Sequence, residues 1–125
     1  MDLNPFFKSI IDQDSASVVI CDTEHTVVYM NHAARRIHAE HGSSLAPGSS
    51  ILDCHQPESN RKIQQVVDWF RADRNHNRVY IAHRPAINRD QYMVALRDES
   101  GELIGYYEKH EYRDPETGKL YDLYD

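Results

Sequence analysis

The sequence predicts a single α+β domain in which helices cover one face of a five-stranded antiparallel sheet. Strand-like segments flank a polar turn near the start of the chain, two more flank residues 98–101, and a long amphipathic helix lies between these groups. With 125 residues, the chain is long enough for one compact core and too short for two ordinary domains. We expect residues 1–125 to form one domain, with a core over about 6–112 and a C-terminal tail over 113–125.

The chain begins with a predicted helix and a predicted hairpin. Asn4 is a common helix-capping residue type, and Pro5 suits the first helical turn. Residues 17–21 and 26–30 are rich in β-branched side chains and flank the polar turn 22–25, which predicts a β-hairpin. The apolar residues of the helix recur at helical spacing: Phe6, Phe7, Ile10 and Ile11.

Two further helices are predicted in the middle of the chain. Residues 31–41 place apolar and histidine side chains on one helical face, and the helix ends before Gly42. Residues 42–50 are rich in glycine, proline and serine and therefore predict a loop. Residues 57–72 predict the longest helix, whose apolar residues follow the i, i+3, i+4, i+7 pattern: Ile63, Val66, Val67 and Phe70.

Three strands and a tail complete the predicted order of elements. Residues 79–83, 91–96 and 103–112 are strand-like in composition, and residues 98–101 predict the hairpin turn between the last two strands. The residues after 112 are polar and contain turn-forming pairs, so we expect a tail that packs loosely or extends.

Composition excludes several classes of partner and compartment. The formal net charge of -6 argues against binding to nucleic acid. The longest apolar runs, such as residues 17–20, are too short for a membrane span, and the N-terminus lacks the layout of a signal peptide, so we expect a cytoplasmic protein. Cys21 and Cys54 form no C-x-x-C pair, so we expect free thiols rather than a disulfide framework or a zinc finger.

The two hairpins resemble those of PAS domains. Residues 17–34 contain a strand, an aspartate turn and a second strand that leads into an Asn-x-Ala sequence at Asn31, as in the PAS opening. Residues 96–106 resemble the PAS closing hairpin. The resemblance covers about residues 6–112 and implies a PAS fold with a cavity between the sheet and its helices.

A third similarity lies just before the long helix. Residues 54–59 read Cys-His-Gln-Pro-Glu-Ser and resemble the Cys-His-Pro-Pro-x-Ser element of a PAS subgroup found in bacterial and archaeal proteins. Gln56 replaces the first proline of that element, and the chain lacks the Asp-Ile-Thr ending that commonly links PAS sensors to an effector. The resemblance therefore implies a stand-alone module that signals through a homodimer or a separate effector protein.

The implied function is small-molecule binding and sensing without enzymatic activity. The fold does not identify the cofactor or ligand. Tyrosines that line the cavity would suit a polar or carboxylate-bearing metabolite, whereas tyrosines on the other face would suit an interface. The alternative is an interaction domain with a filled core and no ligand. We expect eight residues to line the cavity: Met30, Cys54, His55, Tyr80, His83, Tyr92, Met93 and Tyr106.

Cys54 and His55 allow several kinds of chemistry. The positive end of the following helix favours a thiolate or an anionic ligand nearby, while the structural alternative is a buried thiol beside a histidine bonded to the backbone. Catalysis by Cys54 is disfavoured because adjacent side chains seldom face each other. A metal at His38 and His41 lacks a third ligand, so we expect none. Haem bound through His55 is the least favoured sensor alternative.

Overall fold

The computed structural model describes residues 1–123, so the last two residues of the predicted tail lie outside the description. The five strands form one sheet in the order β2-β1-β5-β4-β3, and every neighbouring pair is antiparallel. This confirms the predicted fold class. In chain order the elements are α1 Asn4–Gln13, β1 Val18–Asp22, β2 Val27–Met30, α2 His32–Glu40, α3 Pro57–Ala72, β3 Arg78–Arg84, β4 Arg89–Arg97 and β5 Leu103–Tyr112.

The sheet has an inner face, covered by α2 and α3, and an outer face. Cys21 pairs with Tyr106, and Met93 pairs with Glu108, so these side chains share the inner face. Ile63, Val67 and Phe70 of α3 are buried against that face, as their helical spacing predicts. The core fills the space between the sheet and α3 with these residues and their neighbours: Val19, Cys21, Val27, Met30, Ala34, Leu45, Ile51, Met93 and Tyr106.

β5 approaches β1 unusually closely at Gly105. A Cβ atom at this position would collide with the carbonyl oxygen of Cys21. Glycine is therefore required here by the close approach of two strands rather than by a turn. The contact brings the start of β5 onto the end of β1 and places Tyr106 in the centre of the core, where it is fully buried.

Asn31 joins three elements through one buried side chain. Its Oδ1 accepts hydrogen bonds from the amides of Val18 (3.0 Å) and Ala34 (2.9 Å), and so caps α2. Its Nδ2 donates to the carbonyls of Ile11 (3.0 Å) and Ala16 (2.9 Å). One amide therefore fixes the end of α1, the start of β1 and the start of α2 relative to one another.

Two local features differ from the sequence predictions. Asn4 is the first residue of α1 rather than its cap, because Leu3 takes the cap position and Asp2 Oδ1 accepts the Asn4 amide hydrogen at 2.9 Å. The loop before α3 contains a 3-10 turn at Ile51–Cys54, which starts with Ser50 Oγ accepting from the amide of Leu52. Within residues 1–123, no helix combines the length and the apolar character that crossing a membrane requires.

We predict that Asn31→Ala destabilises the domain by about 3 kcal/mol, because it removes a helix cap and leaves buried amide and carbonyl groups unpaired. Chemical denaturation measures the free energy of unfolding, and Asn75→Ala in the exposed turn after α3 is the matched control. A loss of less than about 1 kcal/mol, the size expected for a substitution at an exposed position, would contradict the role of Asn31 in fixing α1, β1 and α2 relative to one another.

Candidate functional site

A cavity of about 560 Å³ opens between the inner face of the sheet and the layer formed by α2, the 42–50 loop and the 3-10 turn. Its floor is made by the polar ends of three strands: Arg84 of β3, Arg89 and Gln91 of β4, and Glu108 and His110 of β5. Its roof and rim come from α2 and the residues that precede α3: Ile37, His38, His41, Leu45, Ile51, Asp53, Cys54 and His55. The volume falls within the range of small-molecule sites.

The orientation of His55 is set by the backbone. Its Nδ1 lies 2.8 Å from the carbonyl oxygen of Ile51, and since a carbonyl only accepts, Nδ1 carries the proton. Nε2 is then the ring nitrogen left for a ligand. Asn60 Nδ2 donates to the Leu52 carbonyl at 2.8 Å and holds the 3-10 turn against α3. His55 is therefore held by backbone and helix contacts at the edge of the cavity.

The same geometry leaves Cys54 without a base. Its Sγ lies 3.1 Å from His55 Nδ1, but that nitrogen carries its own proton, and Sγ also lies 3.3 Å from the Ile51 carbonyl. Burial and then the neighbouring Glu108 raise the pKa of the Cys54 thiol. A thiol with a raised pKa and no proton acceptor is a poor nucleophile. The histidine bonds to backbone, as in the structural alternative, but Cys54 is exposed rather than buried as that alternative expected.

Glu108 and His110 are polar groups in an apolar setting. Glu108 is only 8% exposed; burial raises the pKa of its carboxyl, and the nearby imidazole of His55 partly opposes that effect. Burial first, and then the nearby Arg89 and His38, lower the pKa of His110 to about 4. Both groups are therefore driven toward their neutral forms at the floor of the cavity.

Two atoms of this floor have no protein partner. Arg89 is 9% exposed, and its Nε makes no hydrogen bond within the described residues. The buried Nδ1 of His110 is likewise without a partner among residues 1–123. Buried polar groups are satisfied in the great majority of folded proteins, so the unpaired Arg89 Nε and His110 Nδ1 make this cavity floor unusual.

A smaller cavity of about 270 Å³ adjoins the first, between α3 and the sheet. Ile63 and Val66 of α3 face Ile81 and Met93 across it. Three residues line both cavities: His55, Gln91 and Glu108. These three residues therefore lie at the boundary between the polar main cavity and the more apolar smaller cavity.

The eight residues predicted to line the cavity fall into three groups. Cys54 and His55 line the main cavity, and Met93 lines the smaller one together with His55. Met30 and Tyr106 are buried in the core and line neither cavity. Their roles toward a ligand stay predictions. The other three lie on the outer face, where the cavity does not reach: Tyr80, His83 and Tyr92.

The prediction that Tyr80, His83 and Tyr92 line the cavity is wrong because of strand parity. Tyr80 pairs with Tyr92 in register, their rings lie in tilted contact with centroids 5.3 Å apart, and both residues alternate with inward-facing neighbours. Tyr80 (2.6 Å) and His83 (2.8 Å) bind Oδ1 of Asp90 on the same face. With Arg113 also donating to Asp90, these residues tie the end of β5 to β4 instead of contacting a ligand.

Sequence reasoning did not identify Arg89, Gln91, Glu108 and His110 as cavity residues. The alternation of Tyr106, Glu108 and His110 along β5 was the available signal, because it places all three on one face. His25 was also missed as a core partner. Its backbone is left-handed, at φ 69°, and its Nδ1 lies 2.9 Å from the hydroxyl of the buried Tyr106.

The residues present do not fit haem or a metal cluster. The cavity floor presents arginine, glutamine, glutamate and histidine groups, whereas a haem needs broad apolar walls around its axial ligand. His38 and His41 do line the cavity, but within residues 1–123 no group of three or more histidine, cysteine, aspartate or glutamate side chains is placed to hold a metal ion. The polar floor fits a small polar ligand better.

Comparison with known proteins gives matches in structure only. No protein-family model and no curated protein sequence matches this chain. The PAS domain of a protein from Colwellia psychrerythraea is 14% identical over 90% of this chain and 98% of its own, with a TM-score of 0.65. The PAS domain of Bordetella pertussis BvgS is 17% identical over 92% and 89%, with a TM-score of 0.62. This chain has a PAS fold.

A further similar structure is that of a sensory box sensor histidine kinase from Vibrio cholerae. It is 14% identical over 86% of this chain and 86% of its own, with a TM-score of 0.57. The likeness at these identities concerns the fold, and it confirms the PAS resemblance of the two hairpins. The subgroup resemblance of residues 54–59 stays a prediction.

We predict that Glu108→Gln stabilises the empty domain by about 1 kcal/mol at pH 7, because ionised Glu108 is buried with little compensation. The raised folded pKa means that this cost is absent below the ordinary carboxyl pKa and grows as the pH rises through the folded value. The difference in the free energy of unfolding between variant and parent should therefore shrink toward zero near pH 4.5, the ordinary pKa of glutamate.

Denaturation at both pH values measures this difference, with Glu24→Gln in the exposed first turn as the control. His110 titrates in both proteins and cancels from the comparison. A Glu108→Gln protein that is less stable than the parent at pH 7 would show that the carboxylate has a structural partner, contrary to the geometry above.

Proposed function

We propose that this chain is a PAS-type sensory module that binds a small molecule in the cavity between its sheet and its helices. The observation that carries the proposal is the floor of that cavity, where buried Arg89 and His110 atoms lack protein partners. An unsatisfied buried polar group costs about 1–3 kcal/mol, and a ligand that bonded to these atoms would recover that cost. An interaction domain with a filled core would have no reason to keep such groups.

His55 is suited to report binding to the rest of the domain. It lies between the two cavities and follows the 3-10 turn that Asn60 joins to α3. A ligand contacting Nε2 would favour one position of this turn, and with it one packing of α3 on the sheet. Binding would thus act by shifting the population between two arrangements of α3.

The output surface that we propose is the exposed face of α1, which pairs with a second copy of the chain. Phe6 and Ile10 are 57% and 69% exposed, and Leu3 and Phe7 extend the same apolar face. A helix face of this kind is self-complementary, and two-fold symmetric pairs are the commonest oligomers. Asn31 binds the Ile11 carbonyl, so α1 is connected to α2 and to the roof of the cavity.

The module is proposed to act without catalysis. The proton on His55 Nδ1 prevents that nitrogen from accepting a proton from Cys54, and the raised pKa of the Cys54 thiol opposes nucleophilic attack. A separate effector protein would then convert the conformational change into an output. The exposed apolar face of α1 also favours the second candidate function, an interaction domain that binds no ligand.

The test is native mass spectrometry of the protein isolated from its native cells, comparing the parent chain with His55→Ala. We expect a dimer that retains a small bound mass, and loss of that mass in His55→Ala while the dimer persists. His32→Ala, at an exposed position on α2, is the control and should retain the ligand.

Three other outcomes separate the alternatives. Equal ligand content in the parent and His55→Ala would remove His55 from the site. A dimer without any bound mass, in samples that were not strongly diluted before the measurement, would favour the interaction domain. A monomer with a bound mass would leave the sensor in place but contradict the proposed role of α1.

A further inference from the structure

The main cavity has a cationic end. Arg84 is the last residue of β3 and Arg89 the first of β4, and the two are directly paired across the strands. Both line the main cavity. Within the described part of the chain, neither guanidinium has a carboxylate within 4.0 Å.

Other arginines of the sheet and its ends are satisfied by the fold. Arg97, elsewhere on β4, donates to the carbonyls of Phe70, Asp73 and His76 at 2.6–3.1 Å, and so caps the end of α3. Arg113 is paired with Asp90 at 2.7 Å. Arg97 and Arg113 therefore have hydrogen-bond partners that stabilise the fold. In contrast, Arg89 is only 9% exposed and its Nε has no hydrogen-bond partner within the described residues.

Two guanidinium groups facing one space in a chain of net charge -6 form a local positive site in an acidic protein. Their charges repel each other and disfavour a further proton on the neighbouring His110, whose Nδ1 is also unpartnered. An anion between them would relieve the repulsion and accept hydrogen bonds from both forks. Arginine forks match the two oxygens of a carboxylate in their plane.

The rest of the cavity limits the charge of that anion. The carboxyl groups of Glu108 and Asp53 line the same space and would not pair with a second negative charge at the other end of the ligand. Gln91 follows Arg89 on the same face, about 7 Å along β4, and Glu108 lies on the neighbouring strand one step further. These groups accept hydrogen bonds, and so favour a hydroxyl or another donor on the ligand.

We propose that the cavity binds a small organic monocarboxylate that carries a hydrogen-bond donor, with its carboxylate held between Arg84 and Arg89 and its donor directed toward Gln91 and Glu108. The inference rests on the proposed function, because it names the chemical class of ligand for the same cavity. Hydroxy acids are the simplest compounds of this class.

The test is a titration of the ¹⁵N-labelled chain followed by NMR, at constant ionic strength held with sodium chloride. The probes are lactate, 3-phenyllactate and 4-hydroxybenzoate, their primary amides, and inorganic phosphate. We expect at least one acid to shift the amide signals of Gln91 and His110 saturably, and its amide to bind at least about 10-fold more weakly, as loss of a charge-assisted hydrogen bond implies.

Two variants assign the effect to the arginine pair. Arg89→Gln should weaken binding of that acid at least about 10-fold, and Arg84→Gln provides a second, more exposed position if the first variant unfolds. Arg36→Gln, which makes the same charge change on the exposed side of α2, should leave binding unchanged.

The outcomes distinguish this inference from the proposed function. Equal binding of an acid and its amide would refute the carboxylate assignment and leave the sensor in place. Saturable binding of phosphate alone would replace the organic acid by an inorganic anion. If neither the acids, nor their amides, nor phosphate shifts the amide signals of the cavity residues, the carboxylate assignment fails. The proposed function is then decided separately, by whether the native protein retains a ligand.

Discussion

β5 lies in the middle of the sheet, between β1 and β4, and its two-residue alternation decides which side chains reach the cavity. Tyr106, Glu108 and His110 point inward, while Tyr107 and Lys109 point outward. The register with β1 is fixed where Gly105 meets the Cys21 carbonyl. A slip of one residue would bury Lys109 and expose Tyr106, so the core and the cavity floor depend on the same constraint.

The inner face is divided along the strands into a packed part and an open part. Tyr106 lies under α3, where Phe70 and Val67 fill the space and His25 bonds its hydroxyl. Towards His110 the covering layer changes from α3 to the 42–50 loop and the 3-10 turn, which leave about 560 Å³ uncovered by side chains. One end of β5 therefore contributes to the packed core and the other to the cavity, where its polar groups impose a cost that the proposed ligand would remove.

The sequence was sufficient to predict the element order and the bounds of α3, because hydrophobic periodicity and turn residues are local signals. Cys54 and His55 were placed beside the cavity for the same reason, since they immediately precede a helix. The PAS fold was implied by the resemblance of the two hairpins to those of that family. Strand faces were not predictable in the same way. Tyr92 and Met93 are adjacent in β4, so the prediction that both line one cavity had to fail for one of them. Glu108 was missed because a charged residue in a strand ordinarily faces solvent.

A crystal structure of the protein isolated from its native cells, without added ligand, would test the unpaired cavity floor most directly. We expect non-protein electron density in contact with the guanidinium of Arg89 and within hydrogen-bond distance of Gln91 or Glu108. A closed cavity, with Arg89 forming an ion pair with Glu108 or Asp53, would contradict it. In that case the polar groups of β4 and β5 would satisfy one another, and the domain would have no vacant binding floor.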